Sequence, residues 1–410
     1  MRKLSLILLI IVLIPVLALA EILTIEDAVN AGLERSLAIE SELLQYRNQQ
    51  TMQLQNMYSW LPRANLNLGK SLYDGDWTDM QGQMSFSWDI TSNDSRYFEM
   101  RRQLLEMHNA SLSLDDKKKN IAWQVLSRYI DVLQASDLIS VQSDVLLLEE
   151  KKHASAIAEF ELGETARSEM DQVEISKLQA EISLNQLEIS YQEKRRELFY
   201  YINMEDDQQE LEGLTMELNI TQQPYRANLK YQMTEDELEK MRISRKEDEL
   251  MLFPIFSLGY SYDQSSTEGV FEFDEYNDSS SLSLQLSYSV FDIFRNRENL
   301  KTSGRQLDYY EKQRADQELL DRITLENYNN RLSIQNRNYE LNQRKTELAL
   351  QVLEQAQMEY SQGELSLLDL NEFQNRYFNS RNNEIKGYYD VIQTQENINL
   401  HLSGDILGKW

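Results

Sequence analysis

Four short stretches of the chain alternate apolar and polar residues with a period of two. In 63–72, Ala64, Leu66, Leu68 and Leu72 alternate with Arg63, Asn65, Asn67 and Ser71, and Lys70 is the one departure on the apolar face. In 81–90, Met84, Phe86, Trp88 and Ile90 alternate with Gln83, Ser85, Ser87 and Asp89. The second pair repeats the pattern: Phe256, Leu258, Tyr260 and Tyr262, then Leu282, Leu284, Leu286, Tyr288 and Val290, against serines, Gly259 and Gln285. A period of two puts each set on opposite faces of a strand, so two β-hairpins are predicted, over 63–91 and 255–292. Two readings fit them. Amphipathic hairpins pack as a small sandwich in a soluble protein, or about ten residues per strand cross a membrane, apolar to lipid and polar to a lumen. The small, hydroxyl-rich polar face suits the second.

After each hairpin the period lengthens. From about Asn93 to Phe160 there is neither Pro nor Gly, and from Arg295 to Tyr360 there is no Pro. Apolar positions recur in steps of three and four, as in Leu325, Tyr328, Leu332 and Tyr339, or Ile175, Leu178, Ile182 and Ile189. A second stripe, Leu187, Tyr191, Leu198 and Tyr201, runs beside the latter. Long coiled-coil helices are predicted, each about 100 Å at 1.5 Å per residue. Two stripes let a helix pack on both sides, as in a cylinder of helices; a simple antiparallel bundle uses the same positions.

The prolines set the frame. Pro62 and Pro254 each end a helical segment ahead of a hairpin, because Pro disfavours helix in the residue before it. They lie 192 residues apart, as do "RSL" at 35–37 and "ANL" at 227–229. An internal duplication follows, with a first repeat over 21–223 and a second over 224–410, each helix, hairpin and long helices.

Composition agrees with an elongated chain: 13 Gly and 4 Pro in 410 residues are too few for a compact, turn-rich domain. Residues 1–20 carry a basic start (Arg2, Lys3), an apolar run from Leu4 to Leu19 broken by Pro15, and "ALA" ending at Ala20, which predicts a cleaved secretory signal. No Cys is present, which excludes disulfides, thiolate chemistry and a lipid-modified N-terminal Cys. Net charge is −27, so a nucleic-acid partner is not expected. The three histidines are scattered, and no phosphate-cradling loop or nucleophile motif occurs, so neither catalysis nor a cofactor or metal is expected.

Four strands cannot close a membrane barrel, and an open edge in lipid leaves unpaired backbone groups at several kcal/mol each. A spanning chain must therefore pool its strands with other copies. The order of elements, "LTIEDAVNAGLERS" from Leu23, both Pro-led hairpins, "WDI" at 88–90, "FDI" at 291–293 and two Gly turns at 163 and 363 resemble the TolC-like outer-membrane efflux proteins. The resemblance covers essentially the whole mature chain. It implies a mainly α fold with a membrane β-barrel portion: a homotrimer whose 12-stranded barrel sits in the outer membrane and whose α-helical barrel extends through the periplasm. It further implies an exit duct for an inner-membrane pump joined by a periplasmic adaptor. The lipid-facing strand positions are then Leu66, Leu68, Phe86, Trp88, Leu258, Tyr260, Leu284 and Leu286. Without a Cys, anchoring falls to the barrel.

The two Gly turns, "FELGETARSEMDQV" (160–173) and "YSQGELSLLDLNEF" (360–373), are read first as helix–helix turns. By the resemblance, Gly163, Glu164, Gly363 and Glu364 contact the adaptor. Asp369, Glu372, Glu169 and Tyr360 fall at the periplasmic entrance gate. Asp369 and Glu372 share a helical face, and three copies make a ring of carboxylates that favours cations. Leu365 stands where familiar members carry a basic latch, and Arg167 on the other turn is a candidate replacement. The alternative to a duct is a non-conducting, secreted coiled-coil tether of the envelope.

Overall fold

The computed structural model describes residues 22–69, 72–73, 76–77, 81–163, 165–214, 223–266, 276–362 and 364–409. The expected signal, Lys70, Glu164, Gly363 and most of both hairpin tips lie outside them. In chain order the elements are α1 (Ile25–Arg35), α2 (Leu37–Tyr58), β1 (Arg63–Gly69), β2 (Leu72–Tyr73), β3 (Asp76–Trp77), β4 (Gln81–Thr91), α3 (Ser95–Glu161) and α4 (Arg167–Tyr201). There follow α5 (Leu229–Leu250), β5 (Ile255–Ser266), β6 (Tyr276–Ser287), α6 (Asp292–Ser361), α7 (Leu367–His401) and a 3₁₀ turn at Ile406–Gly408. α3 and α6, of 67 and 70 residues, realise the two long coiled-coil segments. β6 stops at Ser287, short of the predicted alternation through Val290, and α6 opens at Asp292.

The described residues fall into two compact units. One draws on 38–117 and 225–324, the other on the remainder, so each takes segments from both sequence halves.

The first unit holds the sheet, antiparallel throughout in the order β1-β4-β5-β6. The central pairing, β4 with β5, joins the two hairpins, with Trp88 opposite Tyr260 and Asp89 opposite Gly259. Because side chains alternate, this register aligns whole rows: Ile90, Leu258 and Leu284 on one face, Asp89, Gly259 and Ser283 on the other. Gly259 has a steric reason: a Cβ there would lie 2.7 Å from Asp89 Oδ1. β1 and β6 pair on one side only among the described residues. At the foot of the sheet Trp88 Nε1 donates to Trp60 O at 3.0 Å, and the Arg96 guanidinium lies 4.8 Å from the Trp60 ring centroid. The helices of this unit are joined by ion pairs as well as by buried Leu238; Lys240 donates to Glu106 and Glu237, both at 2.5 Å.

The second unit has the larger apolar core, with Val125, Leu126, Tyr129 and Ile130 of α3, Leu198 and Phe199 of α4 and Val391, Ile392 and Ile398 of α7 all buried. α1 approaches α3 so closely that a Cβ on Gly32 would sit 2.7 Å from Val125 Cγ2. The buried Tyr129 hydroxyl lies 2.8 Å from the carbonyl oxygens of both Leu23 and Glu212, which share its single proton.

Candidate functional site

The turn ends of the helix pairs α3–α4 and α6–α7 lie within the second unit. In the first turn Gly163 N donates to Phe160 O at 3.0 Å and Gly163 adopts φ +77°, the left-handed conformation that glycine enters without the Cβ clash. α4 then begins without a side-chain cap at Ala166. Thr165 Oγ1 instead donates to Glu169 Oε2 at 3.1 Å. In the second turn Glu364 N donates to Glu359 O at 2.9 Å, and Ser366 caps α7.

Tyr360 is half-buried and packs, with Leu365, Phe373 and Tyr377, against buried Leu353, Ala356 and Leu370. Leu365 is thus a packing residue that seals α6 to α7 beside the turn. Burial, then the charges of Glu159 and Glu169, hold the Tyr360 hydroxyl above its ordinary pKa. Tyr360 and Glu169 also line one cavity of about 280 Å³, between α3, α4, α6 and α7. These two expected gate residues are therefore brought together.

The others are more dispersed. Asp369 and Glu372 are exposed and do not line that cavity. Asp369 is hydrogen-bonded to Ser366, and Glu372 pairs with Arg376 one turn on. Arg167 is 80% exposed and reaches Asp171 at 3.9 Å, so within one chain its partner is a neighbour on α4 rather than a gate acid. Among the described residues no three His, Cys, Asp or Glu side chains gather as a metal site.

Lys152 is the residue that sequence patterning passed over. Its side chain is 9% exposed, and its ammonium donates to Glu149 Oε1 at 2.6 Å, to Asn371 Oδ1 at 2.5 Å and to Gln374 Oε1. Burial, opposed by Glu149, holds its pKa below the ordinary lysine value. The signal was present in the heptad: Lys152 falls in the same stripe as buried Val141 and Ala156. "EEKKHA" reads instead as a solvated face.

The strand positions are plainer. Leu66, Leu68, Trp88, Leu258, Tyr260, Leu284 and Leu286 are exposed on one face of the sheet, and Phe86, on the same face, is partly covered and lies 6.5 Å from the Tyr262 ring. No helix among the described residues is long and apolar enough to cross a membrane.

Residues 231–404 match the family model for the outer membrane efflux protein. No curated protein matches the chain in sequence. Among solved structures, the fold is similar to a membrane protein from Pseudomonas aeruginosa (TM-score 0.77, 15% identity, covering 94% of this chain and 91% of that one). It is similar to the outer membrane protein VceC of Vibrio cholerae (0.76, 11%, 93% and 96%). A third likeness is to the open state of the MtrE outer membrane channel of Neisseria gonorrhoeae (0.76, 14%, 94% and 90%). The fold, long helix pairs bearing a four-stranded antiparallel sheet, is that of the TolC-like outer-membrane channels. The sequence likeness to the outer membrane efflux protein family is carried by residues 231–404, somewhat under half of the chain.

Proposed function

We propose that the chain forms a passive outer-membrane duct, the exit of a tripartite efflux or type I secretion system. The observation that carries this reading is the sheet: an exposed apolar face, a hydroxyl-rich opposite face, and β1 and β6 left as edges. Edges of this kind cannot remain open in lipid, so β1 of one copy pairs with β6 of the next. Three copies supply twelve strands, an even number within the range of closed barrels. A second feature supports assembly: Ile175, Leu178, Ile182 and Ile189 form an exposed apolar stripe on α4 that a neighbouring copy covers.

In this reading the strands anchor the homotrimer in outer-membrane lipid and the helices extend into the periplasm. The turns at 163–164 and 363–364 receive a periplasmic adaptor that links an inner-membrane pump. Asp369, Glu372, Glu169, Tyr360 and Arg167 stand at the entrance, where carboxylates in threefold repetition favour cations over anions. The energy and the selection of cargo belong to the pump.

Envelope fractionation followed by an unheated gel tests the assembly, and a planar bilayer tests the conduit. Heat-modifiable trimers in the outer-membrane fraction and small, cation-selective conductance steps are expected. A soluble or peripheral protein without such trimers overturns the reading in favour of a structural tether.

A further inference from the structure

We propose that Lys152 is the tie that holds the first turns of α7 against α3, so that the segment carrying Asp369 and Glu372 is released when this one cation lets go. The proposal deepens the duct reading, in which that segment lines the entrance.

The geometry is specific. An ammonium has three protons and no acceptor, and Lys152 has three acceptors within reach: Glu149 of its own helix, and Asn371 and Gln374 of α7. Asn371 immediately precedes Glu372, and buried Gln374 follows it by two residues. Among the described residues, the hydrogen bonds that reach the first two turns of α7 from α3 come from Lys152. The second oxygen of Glu149 is buried and has no hydrogen-bond partner among the described residues.

What surrounds the tie makes it a latch rather than one strut among many. A cavity of about 430 Å³ reaches Glu149, Asn371 and Gln374, and the cavity of about 280 Å³ reaches Lys152 and Gln374. Apolar packing is therefore thin on both sides of the ammonium. By contrast, α7 is sealed to α6 by Leu353, Ala356 and Leu370, with Leu365 against them. Among the described residues, the start of α7 is thus held to α6 by an apolar cluster and receives its hydrogen bonds from α3 through one ammonium. A buried charge holds only while its acceptors surround it, so the second fastening has two states, made or broken.

The chain has no Cys, so Leu370→Cys introduces a unique thiol, at a position 4% exposed that also lines the smaller cavity with Leu148, Lys152 and Ala156 of α3. In the detergent-solubilised full-length protein, well below melting, labelling by a thiol reagent reports the lifting of α7. Adding Lys152→Met is expected to speed labelling about tenfold, as a local opening does, while Lys152→Arg keeps it slow. Asn371→Ala, which leaves the Lys152–Glu149 pair intact, is expected to give an intermediate rate and keeps the test alive should Lys152→Met fail to fold. A separate Leu126→Cys probe, in the distant core, is expected to label no faster in either background. Unchanged labelling at position 370 in both variants overturns the tie, as does equal acceleration at 126, which marks general destabilisation. Bilayer conductance separates the two readings. Faster labelling in a protein that never conducts removes the duct and leaves the tie, whereas conductance with unchanged labelling does the reverse.

Discussion

Ser366 and Asp369 cap each other at the start of α7: Ser366 Oγ donates to Asp369 Oδ2 at 2.6 Å and accepts from Asp369 N at 3.2 Å. The carboxylate expected in the entrance ring therefore also has a local duty, and it lies where the helix dipole favours negative charge. The two duties separate by mutation. Ser366→Ala is expected to cost about 1 kcal/mol of stability per chain, read as a lower melting midpoint, with ion selectivity unchanged. Asp369→Asn together with Glu372→Gln is expected to lower the cation-to-anion permeability ratio in a planar bilayer. An unaltered ratio would take both carboxylates out of the conduction path.

Gly163 occupies a conformation that costs an L-residue energy, since its φ is +77°. Nothing lies within 4 Å of a Cβ built there, so the cost of substitution is backbone strain alone. Gly163→Ala is expected to lose about 1–2 kcal/mol, and Gly163→Asn less, because Asn tolerates the left-handed region. Urea midpoints of the three proteins check the order.

Glu396 is 2% exposed and accepts from Leu407 N at 3.0 Å and Asn399 Nδ2 at 3.2 Å, tying the C-terminal turn to α7. Burial outweighs these hydrogen bonds and pushes its carboxyl above the ordinary carboxylate range. The folded chain then keeps this proton to higher pH than the unfolded chain does. The group's contribution to stability is present in full below the ordinary carboxylate pKa and is lost as pH rises through the raised value. Glu396→Gln retains an acceptor and carries no charge. It is expected to raise the melting midpoint at pH 7 and to bring no gain at pH 4, so the difference between the two proteins narrows on acidification. A gap constant with pH would show that Glu396 does not titrate in this way.

Leu284 is 78% exposed in the single chain and sits in the apolar row with Ile90 and Leu258. Arginine on a lipid-facing strand costs about 2–4 kcal/mol near the bilayer midplane. Leu284→Arg is expected to deplete heat-modifiable trimers from the outer-membrane fraction. Gln285→Arg, one residue on and on the opposite face, is expected to spare them. Equal loss from both substitutions would mean that the two faces do not differ in environment.

Much of the fold is legible because its signals are local. Pro62 and Pro254 end helices through their own ring sterics, and Gly163 is turn chemistry at one residue. The site is less legible. Asp369 and Glu372 share a helical face as their spacing demands, yet only the folded turn couples Asp369 to Ser366, although the S-x-x-D spacing of 366–369 is visible in the chain. Arg167, the cation expected at the gate, pairs with Asp171 of its own helix, while Lys152, which looks like a solvated residue in "EEKKHA", is a buried cation that reaches α7.

By itself the sequence determined where the chain is strand and where it is helix, which face of each strand is apolar, and where the long helices turn. Those properties follow from the period of side-chain polarity and from Pro and Gly, which act over a few residues. Tertiary structure decided the pairing of β4 with β5, which joins hairpins about 170 residues apart into one sheet whose outer strands pair on one side only among the described residues. It decided equally that Lys152, and not Arg167, meets α7. The energy of a charge depends on its acceptors and on exclusion from water, and two of the three acceptors at Lys152 come from α7, more than two hundred residues away, the third from its own helix.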